Sequence, residues 1–371
     1  MVHMRELELH GTPAQMGEAF GEACRAEIAE LYALRLANAL LEAARYGRPD
    51  AGEAELLSLA RASLPHVSSF DSGGYAELLG IARGAGMTLD RVLAMNGLTD
   101  FRDGLRFGAG EGTGGCTSFL VQGDATVDGR VWAGQTWDLA TVNQPFVVAV
   151  RRRPQDGPAT LCVTTVGCLS LMGVSEAGLA MGTTNLRTLD ARPGVPYLSL
   201  IHRALQFPRV ADAARCIAAA VRAGGHSYWL ADAGGDAAVL ECTATQSRLC
   251  WVRQGSRVQT NHCQVPELRL LEADPPQASS LARLQRMREL LAEHRGHIDA
   301  GTLRGLLADE AGGDLAICRH DFGGISSNAG LVVSPRGREL WACQGPPCGA
   351  AWQQLPLLTD AAAQPGGNGP E

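Results

Sequence analysis

The spacing of apolar residues divides the chain into two parts. Over the first hundred residues it follows the helical period. Met16, Ala19, Phe20, Cys24, Ile28, Leu31, Leu34 and Leu36 recur mostly at intervals of three and four, which places them on one stripe of a helix. The start of that helix is marked by three agreeing residues. Thr12 fits the N-cap, Pro13 the first helical position, and Gln15 the position whose side chain closes a capping box with Thr12. The pattern predicts one helix running to Tyr46, stopped by Gly47, Arg48 and Pro49. Further helices are predicted over 53–64, 75–85 and 88–96, the last with Thr88 as its cap.

A glycine-rich run follows, with Gly108, Gly110, Gly112, Gly114 and Gly115 close together. Beyond it the period changes to two. Strands are predicted over 116–122, 130–136, 146–152, 160–166 and 179–184. Asp128-Gly129 makes a hairpin of the first two. A helical pair over 197–206 and 210–223 comes next, then strands over 226–231, 237–243, 248–252 and 257–260. Helices over 279–294 and 300–307 precede a last hairpin, 329–334 with 339–344, turned by Pro335-Arg336-Gly337. The Ala/Pro/Gly-rich tail, 359–371, is expected to be disordered. Blocks of strands and helices, rather than strict alternation, predict an α+β fold with helices packed on largely antiparallel sheets. A doubly wound parallel fold does not fit.

Composition narrows the function. Of 371 residues, 46% are hydrophobic and 19% charged, enough apolar material for a large core. The net charge of −7 argues against a nucleic-acid partner, which would require a basic stripe. No apolar run approaches the length of a membrane span. The first ten residues lack the apolar core of a secretory signal, so the expected location is the cytoplasm. Eleven cysteines, none spaced C-x-x-C, exclude a zinc ribbon and a thioredoxin-like motif. They are expected to be reduced thiols, most of them buried as small hydrophobes.

Gly110, Gly112 and Gly115 formally match G-x-G-x-x-G. A dinucleotide fingerprint needs a strand before it and a helix after it, and here the order is reversed. Phosphate-loop, zinc-protease and nucleophile-elbow motifs are absent from the sequence. What remains is Gly114-Gly115-Cys116-Thr117-Ser118: a glycine arm running into a cysteine that heads a strand. Alone, that thiol reads as buried packing. Hairpin pairing, however, brings Thr136-Trp137-Asp138 toward Cys116, where the Asp138 carboxylate could orient an amine. Thr260-Asn261-His262 ends a later strand, and Ile317-Cys318-Arg319-His320 precedes the last hairpin.

These segments, in this order, resemble the autoproteolytic acyltransferase family that includes isopenicillin N acyltransferase, a cysteine branch of the N-terminal nucleophile hydrolases. Gly345-Pro346-Pro347-Cys348 and the stretch from Tyr75 to Gly86 share the likeness, which spans about Leu9 to Cys348. The resemblance implies an αββα sandwich whose nucleophile starts a central strand. It also implies self-cleavage between Gly115 and Cys116. Residues 1–115 would then form a mainly helical small subunit and 116–358 the catalytic domain.

The chemistry suits those residues. Cys116 Sγ can attack the Gly115 carbonyl, and the resulting thioester can be hydrolysed. Cleavage frees an α-amine with an ordinary pKa of about 7.7–8.0, able to serve its own thiol as base where a lysine, at about 10.4, could not. The resemblance assigns Asn261 as oxyanion donor, Asp138 as the group holding the α-amine, and Arg319 as a partner of Asp138 or of a substrate carboxylate. Ser118 is a candidate hydrogen-bond donor in self-cleavage. His262 reads as structural, and Glu241 as a carboxylate that could reach the site. Neither metal nor cofactor is needed. The expected partners are an acyl donor, coenzyme A or a carrier protein, an amine acceptor, and the chain's own cleaved N-terminal fragment. The alternative is an amidase or peptidase using the same residues on N-acyl compounds. A non-catalytic binding protein on a degenerate copy of the fold is disfavoured because Cys116, Asp138 and Asn261 are all present.

Overall fold

The computed structural model describes residues 3–45, 47–105 and 115–358. The glycine run before Gly115, Tyr46 at the expected end of the first helix, and the tail from 359 lie outside the described residues.

The chain opens with β1 (Arg5–Gly11), then α1 (Pro13–Ala23), α2 (Arg25–Arg45), α3 (Glu53–Phe70), α4 (Ser72–Ala85), α5 (Leu89–Asn96) and α6 (Leu98–Gly104). Next come β2 (Thr117–Gln122), β3 (Trp132–Ala140), β4 (Val147–Pro154), β5 (Thr160–Thr165), β6 (Met172–Ser175) and β7 (Leu179–Leu186). Then follow α7 (Tyr197–Ala204), α8 (Val210–Ala219), β8 (Gly225–Asp232), β9 (Ala237–Cys242), β10 (Ser247–Val252) and β11 (Gly255–Gln259). The last elements are α9 (Pro266–Arg269), α10 (Ala278–Glu293), α11 (Ala300–Leu307), β12 (Ile325–Ser334), β13 (Glu339–Gln344) and β14 (Gln353–Pro356).

Eight strands pair in the order β1-β4-β5-β6-β7-β8-β9-β10, and six in the order β11-β2-β3-β12-β13-β14. Every pairing is antiparallel except β1 with β4. The sheets face each other where β2 and β3 meet β7 and β8. Helix α8 covers β8 and β9 on one outside, and α10 and α11 cover β2, β3, β11 and β12 on the other. The layer order is therefore helix, sheet, sheet, helix: the α+β, αββα sandwich. Central strands β2, β8 and β12 are buried along their whole length, as expected where both faces of a sheet are covered.

The N-terminal segment is built into this sandwich. The first hundred residues are not wholly helical, because β1 joins the eight-stranded sheet, Arg5 opposite Val148 through Gly11 opposite Pro154. Side chains of α1 and α2, such as Phe20 and Ile28, share one core with Val148, Val150 and Val163. The expected capping box is present: Gln15 N–H donates to Thr12 Oγ1 at 3.3 Å, and Thr12 N–H to Gln15 Oε1 at 2.9 Å. The single helix expected to reach Tyr46 breaks at Cys24, separating the part that packs on α4 from the part that continues as α2. Helices α1 and α4 touch through glycines. A Cβ on Gly17 would lie 2.0 Å from the Glu77 carbonyl oxygen, and one on Gly84 2.2 Å from that of Glu18. Helix α6 and strands β6 and β14 were not legible as separate elements, being seven, four and four residues long. No helix among the described residues is long and apolar enough to cross a membrane.

Two strand boundaries shape the site. Strand β3 runs on to Ala140, so Asp138 lies inside the strand and not at its end. Strand β12 begins at Ile325, four residues before the predicted start, and sets Ser327 opposite Asp138, with a register shift around Asn328.

Candidate active site

Cys116 lies one residue before β2. In the hairpin Thr117 pairs with Thr136, so Gly115 falls beside Asp138, and its N–H donates to the Asp138 carbonyl at 3.2 Å. The Cys116 backbone is held on its far side by residues distant in sequence. Cys116 N–H donates to Asn261 Oδ1 at 2.9 Å. The Cys116 carbonyl accepts from Arg283 Nη1 at 2.6 Å, and Arg283 Nη2 donates to the same Asn261 oxygen at 3.0 Å. Arg283 also reaches Thr117 Oγ1 at 3.0 Å. Asn261 sits just past β11, where its backbone N–H donates to Ser280 Oγ of α10 at 2.9 Å. Its side-chain nitrogen donates to the Asn185 carbonyl at 3.1 Å.

Asp138 is buried. Its Oδ1 accepts from Ser327 Oγ at 2.7 Å, while Oδ2 has no close hydrogen-bond partner among the described residues. Burial pushes its carboxyl up to about 6, opposed by Arg283, by the Ser327 hydroxyl and by Arg319. Burial, then the charge of Asp138, pushes the Cys116 thiol up to about 12, against the Asp138 backbone N–H, Arg283 and Arg319. The thiol is therefore protonated at neutral pH, and attack requires a base. Burial lowers the Arg283 guanidinium to about 10 despite the attraction of Asp138.

Gly115, Cys116, Asp138 and Asn261 all line one cleft, about 910 Å³ when its open mouth is included. Trp137, Leu139, Leu171 and Tyr197 give it an apolar wall, and Arg102, Arg187, Glu272 and Asp274 a charged margin. The N-terminal segment supplies Thr99 and Arg102 to this lining. It also supplies Asp100, whose Oδ1 lies 2.7 Å from Nε2 of His226, another lining residue.

The other sequence candidates fall elsewhere. Ser118 does not line the cleft; its hydroxyl donates to the Gln259 carbonyl at 3.3 Å across the β2–β11 pairing. Arg319 makes no ion pair with a carboxylate among the described residues, Asp138 included, and acts on Asp138 and Cys116 only through its charge. Its backbone is tied to Ser327, which donates its N–H to the Arg319 carbonyl at 3.0 Å. His262 is buried against α10, Nδ1 at 2.8 Å from Ser280 Oγ, and burial holds it down to about 4, so it is neutral. Glu241 accepts from the backbone of Gln264 and Val265 at 2.9 and 3.1 Å, away from the cleft.

Arg283 was missed in the sequence. Its signal was there: it occupies the apolar stripe of α10 with Ser280, Leu284, Met287 and Leu291, all buried. An arginine in such a stripe needs a buried partner. Asn185 and the Asp100–His226 pair carried no comparable pattern.

Residues 125–345 match the model of the family described as acyl-coenzyme A:6-aminopenicillanic acid acyl-transferase. That span contains Asp138, Asn261, Arg283 and Arg319 and begins after Cys116. The 40 kDa form of acyl-coenzyme A:6-aminopenicillanic-acid-acyltransferase of Emericella nidulans is 27% identical over 320 residues, which cover 85% of each chain. Among solved structures, the chain is similar to penicillin V acylase from Agrobacterium tumefaciens (16% identity, TM-score 0.46, covering 65% of this chain and 86% of that one). It is also similar to a variant of conjugated bile acid hydrolase from Clostridium perfringens (12% identity, TM-score 0.45, covering 65% of this chain and 97% of that one). These structural likenesses are distant, and the layer order rests on the strand pairing itself.

Proposed function

Because the chain belongs to the acyl-coenzyme A:6-aminopenicillanic acid acyl-transferase family, we propose that it is a self-processing acyltransferase whose nucleophile is Cys116. The observation that carries this reading is the setting of Cys116 inside a cleft: its N–H held by Asn261, its carbonyl by Arg283, and the Gly115 N–H by Asp138.

In the first reaction Cys116 Sγ adds to the Gly115 carbonyl carbon. Its proton passes to Asp138, a carboxylate whose charge bears on the thiol. The peptide C–N bond breaks, the nitrogen takes up the proton as the new α-amine, and water hydrolyses the Gly115 thioester. The products are pieces of 115 and 371 − 115 = 256 residues. They stay associated, since β1 and the N-terminal helices share the core of the sheets. In the mature site the α-amine serves as base, and Asp138 holds it. Cys116 then takes an acyl group from a thioester donor, of the coenzyme A or carrier-protein kind, and passes it to an amine. Asn261 Nδ2 carries two N–H groups, one of them given to Asn185; the second serves the oxyanion. The apolar wall beside Cys116 suits the acyl chain and the charged margin suits polar ends of donor or acceptor.

Denaturing mass spectrometry of the purified protein tests this. Two chains are expected, the larger beginning at Cys116, and a single intact chain from Cys116→Ala, which is inactive. An intact wild-type chain with full activity refutes the reading. Acyl product appearing only as free acid, at every amine concentration, moves the assignment to amidohydrolase.

A further inference from the structure

Cys318, His320 and Cys348 form a cluster that the acyl-transfer reading leaves unused. Cys318 and His320 stand in the segment leading to β12, and Cys348 in the connection between β13 and β14. Their donor atoms all lie within 4.8 Å of one another. His320 Nε2 is 3.1 Å from Cys348 Sγ and 3.9 Å from Cys318 Sγ. The same nitrogen lies 2.9 Å from Glu310 Oε1. One ring nitrogen carries at most one proton and so can donate to only one of these three atoms. The two thiols can donate as well, but only weakly, so hydrogen bonding gives these contacts little strength. A shared cation suits the convergence better, because donors about 2.0–2.3 Å from a tetrahedral ion stand roughly 3–4 Å from each other.

We propose that Cys318, His320 and Cys348 bind a zinc ion. Two thiolates and an imidazole are a soft nitrogen–sulfur donor set, which selects zinc over calcium or magnesium. The fourth position belongs to Glu310 or to water. Cys318 is buried, whereas His320 and Cys348 are exposed, so the ion has an open path of entry. Binding releases the two thiol protons to solvent and involves no change of oxidation state. The ion clamps the β13–β14 connection to the segment before β12. In that segment Arg319, flanked by two of the ligands, holds Ser327, and Ser327 in turn holds Asp138. The site is thus a brace behind the carboxylate, built from residues outside the cleft lining.

The test uses the full-length protein, reduced, stripped with a chelator and titrated with zinc alone against a chromophoric competitor. One equivalent is expected to bind, and binding is expected to weaken at least about 100-fold in Cys348→Ser and in His320→Gln. Both altered side chains are exposed, and circular dichroism checks that the variants fold. Cys216→Ser, at a half-buried thiol of α8, retains the site. Cobalt(II) in place of zinc is expected to show a thiolate charge-transfer band that Cys348→Ser lacks. The melting temperature is expected to rise with zinc in wild type and not in Cys348→Ser. Equal zinc retention by wild type and both variants overturns the proposal. So does a cobalt spectrum without a thiolate band, or a Cys318–Cys348 disulfide in a protein that takes up no zinc after reduction. None of these readouts depends on activity or self-cleavage.

Discussion

Arg283 grips the Cys116 carbonyl at 2.6 Å while standing where Gly115 would carry a Cβ: that atom would lie 2.5 Å from Arg283 Nη2. The planar fork of Arg283 thus fixes the peptide just after the bond proposed to break, together with Thr117 and Asn261, and Asn261 in turn holds the Cys116 N–H of that bond. Arg283→Lys keeps a charge but not the fork. It is expected to slow self-cleavage at least about tenfold, read as the cleaved fraction by mass over time. Gly115→Ala is expected to leave the fold intact and slow cleavage too, since the Arg283 head must move aside. Unchanged cleavage in both variants removes Arg283 from the site.

The pH dependence follows from Asp138. Its carboxyl is raised from 3.8 to about 6 by burial, so below about pH 6 it holds its own proton and cannot take one from Cys116. Self-cleavage is therefore expected to rise with pH through about 6. Cys116→Ser, a weaker nucleophile that can be isolated uncut, allows the rate to be followed after a pH jump. Asp138→Asn is expected to abolish that rise along with cleavage. In stability the sign is reversed from the usual carboxylate. The folded state keeps the proton that the unfolded state has lost, so Asp138 lowers stability as pH climbs from about 4 to 6. A chemical-denaturation series across that range in Asp138→Asn shows the slope diminished.

Asn261 separates the two reactions. Asn261→Ala removes the amide proposed to face the substrate oxyanion, and turnover per cleaved molecule is expected to fall about 10²–10³-fold. Self-cleavage happens once and within the chain, and is expected to suffer less. Acyl transfer measured with a thioester panel and several amines decides this. Near-normal turnover in cleaved Asn261→Ala removes it from the oxyanion role.

The α1–α4 contact makes a prediction about stability alone. Helix propensity favours alanine over glycine by about 1 kcal/mol. A Cβ on Gly84, however, would stand 2.2 Å from the Glu18 carbonyl oxygen, a backbone atom that cannot swing away. Overpacking costs about 1–3 kcal/mol, so Gly84→Ala is expected to lower the melting temperature. Gly305→Ala in α11, where a Cβ meets nothing within 4 Å, is expected not to lower it. A melting temperature raised by Gly84→Ala would show that the helices separate at little cost.

Local patterns in the chain determined much of this protein. The Thr12–Gln15 capping box, the bounds of α11, the β2–β3 hairpin and the change of period after Gly115 are all local, and each appears where its residues stand. So is the leading position of Cys116. Strand β1 was missed: Glu6-Leu7-Glu8-Leu9 alternates, but so short an alternation beside a long helical stripe was not read as a strand, and it does not say which sheet it would join. What only the tertiary structure decided are encounters across long sequence separations. Asn261 meets Cys116 across 145 residues, and Arg283 meets it across 167. Those encounters depend on sheet order, which sets β11 beside β2, and the four-residue extension of β12 likewise sets Ser327 on Asp138. Arg319 shows the limit from the other side. Its neighbourhood to Asp138 was foreseen through the motif, but direct pairing requires side-chain reach. Here the backbone hydrogen bonds to Ser327 hold Arg319, and its charge acts on Asp138 from a distance. Periodicity reports which face of an element is buried; it carries no information about which distant face closes over it.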